Sequence, residues 1–185
     1  MKRVAFVLAS TLGLILTLPL LASSADIPLS GLSDTNGTVS VGSPAPPLVG
    51  TDITERGITA ETFKGRPVLV DFSSLFCVSC QQTIKEFARL EKVYKATDLA
   101  LVVVTDSMTS PKVMANTFGG LGATYTVMRD EGAKLFDSYG VKIIPFQVLI
   151  DRQGIVRKIH TGFDPELETV LGLKEFAGLA AAGGK

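Results

Sequence analysis

Pro67-Val68-Leu69-Val70-Asp71-Phe72-Ser73-Ser74-Leu75-Phe76-Cys77-Val78-Ser79-Cys80 is the stretch on which the fold of this chain turns. Residues 67–72 form a short, β-rich and almost wholly apolar run, the pattern of a buried strand. After Cys80, Ile84, Phe87, Leu90 and Tyr94 recur at steps of three, three and four among charged neighbours. That spacing puts one apolar stripe on a helix. The only two cysteines of the chain therefore sit where a strand gives way to a helix, across the link 73–76. At a helix N-terminus the free backbone N–H groups and the positive dipole end stabilise an anion, so Cys77 is placed to be a reactive thiolate. Cys80, one turn further in, is close enough to close a disulfide and shielded enough to act second, attacking a mixed disulfide once Cys77 has formed one. Cys77 reads as the nucleophile and Cys80 as the resolving thiol.

Three other readings of the pair are a structural disulfide, a zinc site and two inert buried thiols. A disulfide across so small a ring closes almost no chain and gains little loop entropy. Zinc needs about four ligands, and beyond the two cysteines the chain offers one histidine, His160, far away in sequence. No metal and no cofactor other than the cysteine pair is expected. Met108, Met114 and Met128 lie in separate segments and read as core filler.

Outward from the cysteines, residues 99–105, 125–128, 147–150 and 155–160 are further β-rich runs bounded by turn residues. Between them, a second helix is expected with Ser110 as its N-cap and Pro111 as its first residue, stopping at Gly119-Gly120. A third should run from about 131 to 139, capped by Asp130 and ended by Gly140. A last helix is expected over about 165–179. Early strands alternate with helices, which implies parallel pairing, whereas Asp151-Arg152-Gln153-Gly154 is too short a link for anything but an antiparallel hairpin. The sheet should be mixed, in an α/β domain.

At the other end of the chain, Lys2 and Arg3 precede an apolar run over 4–21 and the small residues Ala22-Ser23-Ser24-Ala25. This is the grammar of an export leader, residues 1–25, cleaved after Ala25 or kept as an anchor. The domain would then be delivered to a periplasmic or other extracytoplasmic compartment, where disulfides are permitted. Residues 26–40 read as a Gly-, Pro- and Ser-rich linker leading to an edge strand, and 179–185 as a flexible tail. The 185 residues, 46% apolar, leave room for one ordinary domain. Lysine plus arginine number 18 and aspartate plus glutamate 18, so there is no concentrated basic face of the kind nucleic acid requires.

Val70-Asp71-Phe72, Cys77-Val78-Ser79-Cys80 and Ile144-Pro145-Phe146 together resemble the thioredoxin superfamily. The lead-in Val41-Gly42-Ser43-Pro44-Ala45-Pro46 is similar to that of its secreted TlpA/ResA-like branch, as are 63–70 and 149–154. The resemblance covers most of 41–178 and implies a thioredoxin-like fold, a mixed central sheet with helices on both faces and an N-terminal extension. It makes Asp71 the buried acid that exchanges the proton of Cys80, and Pro145 a cis-proline facing the disulfide. Ile144 would then offer strand-like backbone hydrogen bonds to a substrate, beside Phe76. In this sequence Phe76 stands where the family usually has Trp, Thr83 where the branch often has glutamate, and Lys85 where a proline commonly kinks the helix. Asp71 is left as the evident proton carrier.

The function expected is a thiol-disulfide oxidoreductase, a reductase or exchanger acting on oxidised or reduced cysteine proteins outside the cytoplasm, supplied with electrons by a membrane thiol donor. Two alternatives share the fold. One is a peroxiredoxin-like peroxidase, toward which Ser74 points by standing three residues before Cys77. The other is a non-enzymatic metal or haem-handling module.

Overall fold

The computed structural model describes residues 39–182. Seven strands, β1 (Gly50–Asp52), β2 (Gly57–Ile58), β3 (Val68–Ser73), β4 (Ala100–Asp106), β5 (Thr126–Asp130), β6 (Phe146–Ile150) and β7 (Val156–Thr161), join in one sheet of order β2-β1-β5-β4-β3-β6-β7. β3 pairs in parallel with β4 and β4 with β5, while β3–β6 and β6–β7 are antiparallel. The mixed sheet read from the sequence is the sheet found. β3 and β6 are buried along their whole lengths, as strands covered on both faces must be, which is why they read as unbroken apolar runs.

Alternation along β3 divides the core. Val68, Val70 and Phe72 face one side with Val102, Val104, Phe146 and Val148, under Leu135 and Tyr139 of helix α3 (Lys134–Tyr139). Leu69 faces the other side with Val103 and Leu149, under Ile84, Phe87 and Leu90 of the long helix α1 (Val78–Tyr94). Phe87 and Leu90 are fully buried, and each contributes about 2 kcal/mol by removal from water. The period along β3 puts Asp71 and Ser73 on the same side as Leu69, beneath α1. Met114 and Phe118 of α2 (Pro111–Gly120) belong to this second layer too, with Leu167 of α4 (Leu167–Val170) and Leu173 of α5 (Leu173–Ala182).

The Ser110 hydroxyl accepts from the Val113 N–H and Pro111 opens α2, as the sequence implies. α1 runs through Lys85 without interruption. Two helices differ from expectation. The helix expected over 131–139 is a 3-10 turn (Glu131–Ala133) followed by α3, because Gly132 and Ala133 take left-handed backbone, φ 73° and 57°. Asp130 caps not the first turn but α3, its carboxylate accepting from the Leu135 and Phe136 N–H groups at 2.9–3.0 Å. The helix expected over 165–179 is two, α4 and α5, separated at Gly172 with φ 64°.

The hairpin β1–β2 is an element the sequence pattern does not announce. Its strands are too short to alternate, and the turn is held by the Asp52 carboxylate, which accepts from the Thr54 and Arg56 N–H groups. Residues 42–45 lie along the start of β7, exchanging backbone hydrogen bonds with Gly154 and Val156. The leader and most of the linker expected over 26–40 fall outside the described residues.

Candidate active site

Cys77 is the N-cap of α1, with extended backbone at φ −103° and ψ 118°. Its sulfur is bonded to that of Cys80. The two differ in access: Cys77 is partly exposed, Cys80 fully buried. The Cys77 sulfur also lies 3.2 Å from the Cys80 backbone nitrogen, whose N–H it accepts, and 3.2 Å from the Ser79 hydroxyl. α1 carries no acidic residue in its first turn. A negative charge on Cys77 would therefore meet only donors and the positive end of a 17-residue helix there.

The loop before Cys77 is held from within. The Cys77 N–H donates to the Ser74 carbonyl, the Phe76 N–H to the Ser74 hydroxyl at 3.3 Å, and the Gln81 side-chain amide to the Leu75 carbonyl at 2.8 Å. Ser74, the residue that suggests a peroxidase, thus serves the turn, and the hydroxyl at the reactive sulfur belongs to Ser79. Phe76 and Val78, either side of Cys77, are 69% and 77% exposed, an apolar rim around the half-open sulfur. The Ile144–Pro145 peptide is cis, Pro145 is buried and Ile144 partly so, and Ile143 beside them is exposed. They precede β6, at the same end of the sheet as the end of β3 from which the Cys77 loop departs.

Asp71 is fully buried on β3. Burial disfavours its charged form and pushes its pKa up to about 7, against the opposing pull of hydrogen bonds from Ser73 and Gln147. The Ser73 hydroxyl donates to one carboxylate oxygen and the Gln147 amide to the other, at 2.7 Å. Thr83, in the place of the branch's glutamate, is buried on α1 and donates its hydroxyl to the Ser79 carbonyl. His160 stands across from Gln147 on β7, the register running Asp71, Gln147, His160 over three adjacent strands.

Ser73 and Gln147 are missed by reading the sequence. Gln147 carries a signal in retrospect, a lone amide in the apolar run 146–150. Ser73 carries none, since a serine after a strand reads as the start of a loop.

A family model described as Redoxin matches residues 40–174. The chain belongs to the Redoxin family. It is 29% identical over 125 residues to the thiol-disulfide oxidoreductase ResA of Geobacillus thermodenitrificans, covering 67% of this chain and 71% of that protein. To ResA of Bacillus subtilis it is 28% identical over 126 residues, 68% of this chain and 69% of that one. Among solved structures, the protein assigned as thiol:disulfide interchange protein DsbE from Chlorobium tepidum superposes with a TM-score of 0.66 at 27% identity, over 77% of this chain and 99% of that one. This Redoxin chain is a TlpA/ResA-like member of the thioredoxin superfamily, as its motifs imply, and its activity is that of a protein thiol-disulfide oxidoreductase.

Proposed function

We propose that this protein is a dithiol reductase of disulfides in exported cysteine proteins, working outside the cytoplasm behind an N-terminal export leader and recharged by a membrane thiol donor. The observation that carries the reading is the asymmetry of the pair: a half-open Cys77 at the cap of α1, bonded to a fully buried Cys80. In the reduced protein the Cys77 thiolate attacks one sulfur of a substrate disulfide, forming a mixed disulfide and releasing the other sulfur as a thiolate. Cys80 gives its proton to the Asp71 carboxylate, and its sulfur attacks Cys77. That closes the Cys77–Cys80 disulfide and expels the second substrate thiolate. Two electrons have passed to the substrate, and Asp71 returns the proton to solvent or product. A carboxyl titrating near neutrality can hold and release that proton under working conditions.

The exposed rim of Phe76 would lie against the apolar residues of a substrate strand, with the Ile144 backbone and Pro145 flanking its cysteine. No cofactor beyond the cysteine pair enters the cycle.

Two measurements test this. Cys80→Ser should accumulate a covalent adduct with an oxidised protein substrate, and Cys77→Ser should give none. Redox titration against glutathione or dithiothreitol should place the pair near the potential of thioredoxin, about −270 mV; a value near −120 mV would make the protein a disulfide donor instead.

A further inference from the structure

The buried polar cluster under α1 holds more than the acid. Gln147 is fully buried and its amide nitrogen is 2.7 Å from Asp71, yet its carbonyl oxygen Oε1, equally buried, has no hydrogen-bond partner. A buried amide oxygen left unpaired costs free energy, so a residue that accepts this in the middle of an apolar strand needs a reason. Leucine or methionine would fill the same space without the cost. The register supplies the reason: Gln147 stands directly opposite Asp71 across β3–β6, so its side chain is held on the carboxyl by the sheet itself.

We propose that Gln147 is a positioning residue that partners both protonation states of Asp71. To the carboxylate it donates an Nε2 hydrogen, as in the structure. When Asp71 takes up the resolving thiol's proton, a half-turn of the amide brings Oε1 to the carboxyl and accepts its O–H. Either end of the amide can serve, because the end turned away from Asp71 has no partner to lose. Ser73 is the complementary clamp, its hydroxyl able to donate to the charged form or accept from the neutral one. The inference rests on Asp71 as proton carrier and adds what keeps that carboxyl aimed and chargeable inside the core.

The other titratable groups around Asp71 are few. Cys80, buried on α1, the helix that covers Asp71's side of the sheet, is held in the disulfide. Tyr125, ahead of β5, is pushed up by burial and by the Asp71 charge, and its hydroxyl is engaged with the Ile84 carbonyl. His160 lies beyond Gln147 on β7. In the oxidised protein the cysteines do not titrate and the tyrosine stays neutral, so the Asp71 carboxyl-carbon NMR signal, followed through a pH titration beside the imidazole signals of His160, reads Asp71 itself.

The experiment is that titration in the full-length oxidised protein, alongside the pH profile of substrate reduction, for the parent, Gln147→Met and Ser73→Ala. Each variant loses a bond to both forms of Asp71, but the bond to the charged carboxylate is the stronger of the two. The Asp71 midpoint should therefore move up by about half to one pH unit, roughly a three- to tenfold change in proton affinity, and the rate profile should move with it. An unmoved Asp71 midpoint in Gln147→Met overturns the role of Gln147. A moved midpoint with an unmoved rate profile instead overturns Asp71 as proton carrier. Should Gln147→Met fail to fold, Gln147→Asn, polar but one methylene short of the carboxyl, carries the same expectation.

Discussion

The backbone N–H of Cys80 points at the sulfur of Cys77 across the first turn of α1, 3.2 Å away. That hydrogen bond belongs to the helix cap, so it outlasts reduction of the disulfide and falls on whichever form of Cys77 is present. It favours the thiolate, together with the Ser79 hydroxyl on the same sulfur. Reduced protein treated with iodoacetamide at neutral pH should be alkylated at Cys77 about tenfold faster than an unperturbed thiol. Cys80, fully buried, should react only on unfolding. Peptide mapping checks both; equal labelling of the two cysteines in native protein would contradict the division of roles.

Asp71 predicts an unusual pH dependence of stability. Its folded pKa, pushed up by burial to about 7, lies above the ordinary 3.8 that it regains on unfolding. Between those values the folded state holds the proton and the unfolded state does not, so this group makes stability fall as pH rises through the window and level off above it. Asp71→Asn should remove the fall, stabilising the oxidised protein at pH 8 by a few kcal/mol, on the order of 1.4 kcal/mol for each pH unit across that window, and by much less at pH 4. Urea unfolding at the two pH values gives the comparison. A gain of equal size at both would show that the carboxyl's charge is not what destabilises.

Asp71 also marks the limit of what the sequence discloses. Its place on the side of the sheet beneath α1 follows from strand period, because β3 is one uninterrupted strand whose alternation can be counted. α1 and the cap of α2 are legible for a similar reason: each is specified by residues within one turn of it. The partners Ser73 and Gln147 are not legible, since Gln147 meets Asp71 only once β6 has paired beside β3, 76 residues away in the chain. The break in the third helix was hidden differently. Asp130 does cap a helix, but its carboxylate reaches past two left-handed residues to do so, and Ala133 is no residue from which a left-handed backbone is read.

That cap makes the next prediction. The Asp130 carboxylate, buried at the end of β5, accepts from two backbone N–H groups of α3. It is the group that fixes the short helix whose Leu135 and Tyr139 cover one face of the sheet. Asp130→Ala leaves both N–H groups without it and should destabilise the protein by about 1–2 kcal/mol. Asp130→Asn, which keeps one acceptor oxygen, should lose less. Because α3 lies on the opposite face from α1, the reduction potential should not change in either variant.

Glu168 joins the C-terminal helices to the helix that carries the cysteines. One of its oxygens accepts from the Tyr94 hydroxyl and the other from Arg89, both at 2.8 Å and both on α1. Those hydrogen bonds, Arg89 first and Tyr94 second, hold its carboxyl below the ordinary carboxylate range. The sign is the reverse of that for Asp71: the stabilisation is complete above the ordinary pKa of 4.5 and disappears as pH falls through the lowered folded value. Glu168→Gln should therefore cost about 1 kcal/mol at neutral pH and progressively less as pH falls through the lowered folded value, where the parent carboxyl takes up a proton of its own. Hydrogen exchange locates the effect: amides of α4 and of the last turns of α1 should lose protection at neutral pH, while those of the first turn beside Cys77 keep theirs. If protection is lost throughout α1, the helix is anchored as a whole by its docking to α4, and substitutions at Glu168 would then alter the cysteine pair as well.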